Sequence, residues 1–278
     1  MITNRKQHGT RFFLKESIMK VVDLTPQHQE LYQLCLEDWS NEMKEAGDHK
    51  ARWYEKMKDK GLGVKLALDD NDCVGGMIQY LPSDLAPIEG ENLYFIACIW
   101  VHGYKKGRGN FQKKGMGKAM LHAAEEDVRN RGAAGLAAWG ISLPFWMRAS
   151  WYKKQGYAKV DNLKGAILLW KPFTDDARPP RWIRPLKKPE KQEGKVTVTV
   201  FINGWCPGQG LVYERARRAV TDLGEKVEFR GIDTSDRRTF LEWGIQDGLF
   251  IDDKEVRTGP PPSYSRIRRK IQSALRKL

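Results

Sequence analysis

Apolar and polar positions along the chain fall into two ordered regions separated by a stretch with no apolar period. In the first region, residues 19–24 read as a short strand, and Thr25-Pro26 supplies a helix N-cap with proline at the first helical position. A helix is expected over 26–43, with Leu31, Leu34, Cys35 and Trp39 near one face. A second follows over 49–60, with Trp53, Tyr54 and Met57 inward, and stops at Gly61. Strands at 64–68 and 74–81 flank the turn-forming cluster Asp69-Asp-Asn-Asp72 and read as a hairpin. The run 93–102 is almost wholly apolar, as a strand covered on both faces should be. A helix over 115–131 turns Met116, Met120, Leu121, Ala124 and Val128 inward and Glu125, Glu126 and Arg129 outward. A buried strand at 135–139, a helix carrying Met147, Trp151 and Tyr152, and a closing strand at 166–170 complete the region.

Residues 173–194 are rich in proline and charge, which predicts an extended, stiff connector. The second region then opens with an alternating strand at 195–202. Gly204-Trp-Cys-Pro-Gly208 leads into a helix that runs to 223. A strand at 227–232, a helix at 235–243, strands at 249–251 and 255–257, and a helix from 264 to the end give a βαβαββα order. The domain boundaries are therefore a loose polar arm at 1–18, a first domain at 19–172, the connector at 173–194, and a second domain at 195–278.

Composition changes this picture little. A chain of 278 residues can bury two ordinary cores. Its four cysteines, Cys35, Cys73, Cys98 and Cys206, are scattered without metal-ligand spacing, so neither a metal site nor a disulfide framework is expected. No signal-peptide core and no long apolar run is present, so a soluble cytoplasmic protein without membrane contact is expected. The net charge of +13 raises the question of nucleic acid. Its basic residues fall in three separate groups with no zinc finger, RNP-type strand or basic zipper, so a nucleic-acid partner is not favoured.

Charge matters most between 98 and 122, where an apolar strand runs through a basic, glycine-containing loop into a helix. Free amides and the helix dipole favour an anion at such a helix start, and Gly115 and Gly117 permit close backbone approach. Lys113, Lys114 and Lys118 add charge. Neither a nucleotide-triphosphatase loop nor the dinucleotide fingerprint is present.

What Gln112-Lys-Lys-Gly-Met-Gly117 does match is Gln/Arg-x-x-Gly-x-Gly/Ala, which resembles the acyl-coenzyme A signature of the GNAT N-acetyltransferase family. About 35 residues later, Ser150-Trp-Tyr-Lys-Lys-Gln-Gly-Tyr157 resembles that family's Ala/Leu-Tyr-x-Lys-x-Gly-Phe element, and the element order of 19–172 is that of the GNAT fold. The second region, with Trp-Cys-Pro at its first helix start, resembles a thioredoxin-like domain. End to end, the chain resembles the YoaP-like group of acetyltransferases. The resemblance implies an α/β GNAT acyl-CoA N-acyltransferase fold followed by a small thioredoxin-like domain. It implies acetyl-CoA as cosubstrate, no metal, and transfer to a primary amine of a small molecule or peptide by direct attack, with no acyl carrier at Cys98. The helix pair at 26–60 would line the acceptor site.

The same resemblance assigns roles. Backbone groups of Ile99, Trp100 and Val101 would meet the pantetheine arm and polarise the thioester carbonyl. Gln112, Lys113, Lys114, Gly115, Met116, Gly117 and Lys118 would hold the pyrophosphate, and Tyr152 would be the general acid. The insert 104–110 lengthens the pyrophosphate loop, and the family's frequent Asn contact has Ser142 or Ser150 as possible substitutes. No carboxylate lies in 93–101. His102, at the strand end, is the candidate base on intrinsic pKa, with a structural role as its alternative. Cys206, at a helix start, should have a lowered pKa. Gln209 stands where a second cysteine would complete a dithiol, so Cys206 is a vestige, a single-thiol redox contact or part of an acceptor surface. The rival functions are a coenzyme A-sensing or binding module and a thiol redox protein.

Overall fold

A computed structural model describes residues 19–143, 147–256 and 260–278. The expected arm at 1–18 and the expected strand end at Arg257 lie outside the described residues.

The first unit begins with β1 (Lys20–Asp23), α1 (Gln29–Gln33), α2 (Asn41–Glu45) and α3 (His49–Met57). Strands β2 (Gly63–Leu68), β3 (Val74–Pro82), β4 (Ile88–Glu89) and β5 (Leu93–Val101) follow. Then come α4 (Met116–Asn130), β6 (Gly135–Gly140), α5 (Ala149–Lys154), β7 (Ala158–Leu163) and β8 (Ala166–Pro172). All strands but β4 join one seven-stranded sheet in the order β1-β2-β3-β5-β6-β8-β7. Only the central pair β5–β6 is parallel. Successive residues of the strands face opposite ways. Ala67, Ile78 and Ile96 pack toward Met116, Met120 and Val128 of α4, while Leu66 and Met77 pack toward Tyr32 and Leu36. Burial of each such side chain is worth ~1.5–3 kcal/mol, so this two-sided core holds the sheet rigid under the site.

The single helix expected over 26–43 is broken. Cys35 (φ 51°) and Leu36 (φ 63°) take left-handed backbone, and the Leu36 amide reaches back to the Leu31 carbonyl at 3.0 Å, which closes α1. Leu36 is wholly buried, and packing it against the sheet is what turns the chain. Ser40 then caps α2 by accepting from the Met43 amide at 3.4 Å.

The connector is extended, as expected, but it is strapped to both units. Its strand β9 (Arg181–Trp182) pairs with β4, and the buried Trp182 donates from its indole to the Ala166 carbonyl at 3.0 Å. The Leu186 amide donates to the Trp243 carbonyl at 2.9 Å.

The second unit comprises β10 (Val196–Ile202), α6 (Pro207–Thr221), β11 (Val227–Asp233), α7 (Arg237–Trp243), β12 (Gly248–Ile251), β13 (Lys254–Glu255) and α8 (Tyr264–Leu275). Its sheet order is β11-β10-β12-β13, parallel between β10 and β11 and antiparallel beyond. Val198 and Val200 pack against Ala216 of α6 and Ile267 of α8. No helix among the described residues is long and apolar enough to cross a membrane.

Candidate active site

Strands β5 and β6 pair from Leu93–Gly135 to Ile96–Ala138 and no further. Opposite, Gln79 of β3 pairs with Cys98 and Tyr80 with Ile96, so Ala97 is an extra residue that bends β5 at the point where the strands part. The Trp139 indole donates to the Ala97 carbonyl at 3.0 Å across this opening. The predicted residues lie just beyond it. Ile99 and Val101 join the α4 side of the core, while Cys98 and Trp100 turn to the α1 side.

Lys113 (φ 63°) and Gly115 (φ 88°) turn the chain into α4, and the Gln112 amide is taken by Asn110 Oδ1 at 2.9 Å. Among the described residues, the amides of 113–118 have no acceptor. Lys113, Lys114 and Lys118 are exposed around them. A Cβ placed on Gly117 would lie 3.5 Å from Trp151 Cζ2 and 3.8 Å from Val101 Cγ2. The helix start, the end of β5 and α5 therefore converge.

His102 is fully buried. Its Nε2 accepts from the Trp39 indole at 3.1 Å, and its Nδ1 lies 2.6 Å from the Gly109 carbonyl. An indole N–H only donates and a carbonyl only accepts, so the ring is neutral with its proton on Nδ1. Neither nitrogen is open to an acceptor's proton. Through these two bonds His102 ties the insert 103–111 to Trp39. Arg108 fixes the same insert by donating to the Val74 carbonyl at 3.0 Å. Gly107 (φ 68°) is obligatory there, because a Cβ would stand 1.9 Å from Trp39 Cδ1.

Tyr152 is brought to the same place. It is 1% exposed, packed edge-on to Trp151 and Tyr157, and its hydroxyl has no hydrogen-bond partner among the described residues. Burial, and after it the Cys98 thiol, raises the phenol above its ordinary pKa. Ser142 and Ser150 are exposed.

The second unit packs on the first at the α2–α3 side of its sheet. Trp205 enters the first unit's core, where it stacks on Phe95 at 6.0 Å. Buried Gln79 joins the two units, accepting from the Tyr32 hydroxyl at 2.7 Å and donating to the Trp205 carbonyl at 3.1 Å. Buried Lys50 donates to the Tyr32 carbonyl at 2.7 Å and to Cys35 Sγ at 3.2 Å. A Cβ on Gly210 would sit 2.3 Å from the Ala46 carbonyl oxygen, so α6 approaches the first unit at bare-backbone distance. The expected fall in the Cys206 pKa is overturned. Burial pushes this thiol up to about 12 and Cys35 adds to the rise, while the Gly208 amide and Lys50 oppose it without cancelling it. Gln209, at the second position of a dithiol motif, instead accepts from the Gly204 amide at 2.8 Å. Among the described residues no group of three or more His, Cys, Asp and Glu is arranged to hold a metal ion.

Sequence reasoning missed Tyr104, which packs edge-on to Trp39 at 5.7 Å and tilted beside Trp100 at 6.2 Å, because it stands in an insert without periodicity.

In comparison with known proteins, residues 27–157 match the acetyltransferase (GNAT) family. A relative described as an uncharacterized N-acetyltransferase YoaP, from Bacillus subtilis (strain 168), is 24% identical over 222 residues, covering 77% of this chain and 80% of its own length. A solved putative acetyltransferase of the GNAT family from Desulfovibrio desulfuricans is 20% identical with TM-score 0.44, covering 56% of this chain and 100% of that one. A GNAT family acetyltransferase from Brucella melitensis, solved in complex with acetyl-CoA, is 17% identical with TM-score 0.39, covering 58% and 92%. Residues 27–157, within which the sheet opens between β5 and β6, carry an α/β fold of the kind the GNAT family model describes.

Proposed function

We propose that the protein transfers the acetyl group of acetyl-CoA to a primary amine by direct attack. One observation carries this reading: a run of uncommitted amides at the start of α4 meets an opened strand pair and the orphaned Tyr152 hydroxyl. These groups fit acetyl-CoA. The amides of 113–118 with Lys113, Lys114 and Lys118 suit a pyrophosphate, and a buried hydroxyl without a partner suits a thioester sulfur. When bound, acetyl-CoA supplies an activated acetyl thioester. Backbone groups of β5 at Ile99, Trp100 and Val101 orient its carbonyl and favour the charge that develops on the oxygen. The free amine bonds to the acetyl carbon as the carbon–sulfur bond breaks; Tyr152, which keeps its proton at neutral pH, gives it to the departing sulfur and is reprotonated, through solvent, by the proton that the acceptor nitrogen loses as it becomes an amide. His102 holds the loop and takes no proton.

Residues 195–278 are read as a thioredoxin-like accessory domain, supported by the mixed β11-β10-β12-β13 sheet and the Trp205-Cys206-Pro207 start of α6. Its role is to roof the acceptor side. A buried thiol with a raised pKa and glutamine at the partner position argues against a thiol cycle.

Calorimetric titration with acetyl-CoA tests the reading. Binding on the order of micromolar is expected for the wild type, weakened about a hundredfold or more by Gly117→Glu, which sets a carboxylate among the cradle amides. That position has ordinary contacts for a Cβ and so folds normally. Absence of binding by the folded wild type overturns the reading.

A further inference from the structure

We propose that Trp139 is the end wall of the acyl site, and that its indole limits the group accepted on coenzyme A to a short acyl chain. The inference rests on the acetyl-transfer reading for its ligand and deepens it by naming the residue that sets acyl length. Where two strands part, backbone groups that would have paired need other partners. β5 and β6 pair as far as Ile96 and Ala138, and Ala97 is the next residue of β5. Its carbonyl is taken by the Trp139 indole at 3.0 Å. Peptide groups along a strand alternate in direction, and the His102 amide donates to the Gly75 carbonyl of β3 at 2.9 Å. The backbone groups of Ile99 and Val101 therefore turn the other way, toward the opening. The indole plugs the ladder at its apex, and free backbone begins two residues further out.

Trp139 has the setting of a wall. It alone in β6 is not buried. It packs against the α4-side core and also against the core that holds Phe95, Ala97 and Trp205, so the ring lies between the two layers. Its backbone is fixed from the far side, where Trp139 pairs with Leu168 of β8. Beyond it the Ile141 amide donates to the Met147 carbonyl at 2.8 Å, and the Ala149 amide to the Ile141 carbonyl at 3.0 Å. A Cβ on Gly140 would stand 2.6 Å from the Met147 oxygen, so this end of β6 has no room to retreat.

The direction of the ligand follows from its two ends. The uncommitted amides at the start of α4 adjoin the outer end of β5, where a Cβ on Gly117 would lie 3.8 Å from Val101 Cγ2. Tyr152 packs in one cluster with Ile96 and with Ala138, the last pair before the opening. A pyrophosphate at the first place and a sulfur at the second run coenzyme A inward along β5. The four residue steps from Val101 to Ala97 span about 13 Å, a distance that a pantetheine arm covers. The acyl carbons, which lie past the sulfur, are then aimed at the apex and meet the indole.

Calorimetric titration of the full chain with coenzyme A, acetyl-CoA, n-butyryl-CoA and n-hexanoyl-CoA tests the wall in wild type, Trp139→Leu and Trp139→Ala, each checked first by its melting curve. The wild type should bind coenzyme A and acetyl-CoA alike and the longer thioesters about tenfold or more weakly, as overpacking at a fixed wall implies. Trp139→Leu should admit butyryl-CoA. Trp139→Ala should bind hexanoyl-CoA more tightly than acetyl-CoA, because each methylene that gains burial is worth about fourfold. Should Trp139→Ala fail to fold, the butyryl-CoA affinity of Trp139→Leu decides alone. A wild type that binds all the thioesters equally overturns the wall. So does a preference for acetyl-CoA that survives the substitutions, even if they weaken coenzyme A itself, since that is the mark of a structural tryptophan. A folded wild type that binds none of the four removes the acetyl-transfer reading, and the acyl wall with it.

Discussion

Tyr152 carries a hydroxyl into a fully buried position with no protein group to receive it. A structural tyrosine left in this state is a burden, so Tyr152→Phe should leave thermal stability unchanged or raise it by up to ~1 kcal/mol. If the hydroxyl serves a leaving sulfur, the same substitution lowers kcat on the order of 10–100-fold. Melting curves together with single-turnover rates separate the two roles, and a variant that is stabilised and fully active would remove Tyr152 from the chemistry. Cys206 gives a second test. Its raised pKa leaves almost no thiolate at neutral pH, so alkylation by iodoacetamide should stay slow and rise only in strongly alkaline solution. Tyr152 was legible in the sequence because a local motif marks it. The titration of Cys206 and the commitment of His102 were not, since a helix start or a strand end says nothing of burial. Cys35 and Lys50, which help set the environment of Cys206, lie across the units, and Trp39, which engages His102, lies 63 residues from it.

The insert at 103–111 is an element without secondary structure, yet its shape is over-determined by His102, Arg108 and Gly107. Its glycines should therefore respond unequally. At Gly107 a Cβ would strike the Trp39 ring from a positive φ, so Gly107→Ala should cost about 1–3 kcal/mol and displace that ring. At Gly109, also of positive φ but with its nearest neighbour 4.0 Å away, alanine should cost only about 1 kcal/mol. Urea midpoints of the two variants check the ranking, and equal midpoints would show that the loop yields freely. Periodicity made β2, β3, β5, α4 and β10 legible within a residue or two. It failed between 34 and 40, where apolar spacing continues through a break that only the burial of Leu36 explains. Strands β4 and β9, two residues each, lie below any periodic signal.

At the scale of the whole molecule the two units share charge as well as core. Arg215 of α6 is nearly buried and bonds to Glu42 and Glu45 of α2 at 2.7 and 2.9 Å, and Arg218 bonds to Glu45 at 2.7 Å. Arg215→Ala should lower stability by about 1–3 kcal/mol, less than for a wholly buried pair because Glu42 is 55% exposed. The Arg215 hydrogen bond, and secondarily Arg218, holds the Glu45 carboxyl below its ordinary value of 4.5. A depressed carboxyl stabilises the fold above that ordinary value and loses its contribution as pH falls through the lowered one. The Tm difference between wild type and Arg215→Ala should accordingly be full at neutral pH and shrink in acid; a constant difference would mean that Arg215 acts by packing alone. The proline-rich stretch 173–194 lies between the last strand of the seven-stranded sheet and the first of the four-stranded one. The depth of docking was not legible in the sequence, because Gln79, Trp205 and Gly210 carry no sequence mark of a contact partner more than a hundred residues away. That docking also has a consequence in time. Trp205 fills part of the first unit's core, so that unit, made before it, emerges without a piece of its own interior. At ~5–20 residues per second, a few seconds of synthesis separate the last strand of that unit from the tryptophan that completes it. A nascent chain therefore passes through a stage with this face of the first unit uncovered, and the ribosome, by finishing the second unit, sets the moment at which the shared core closes.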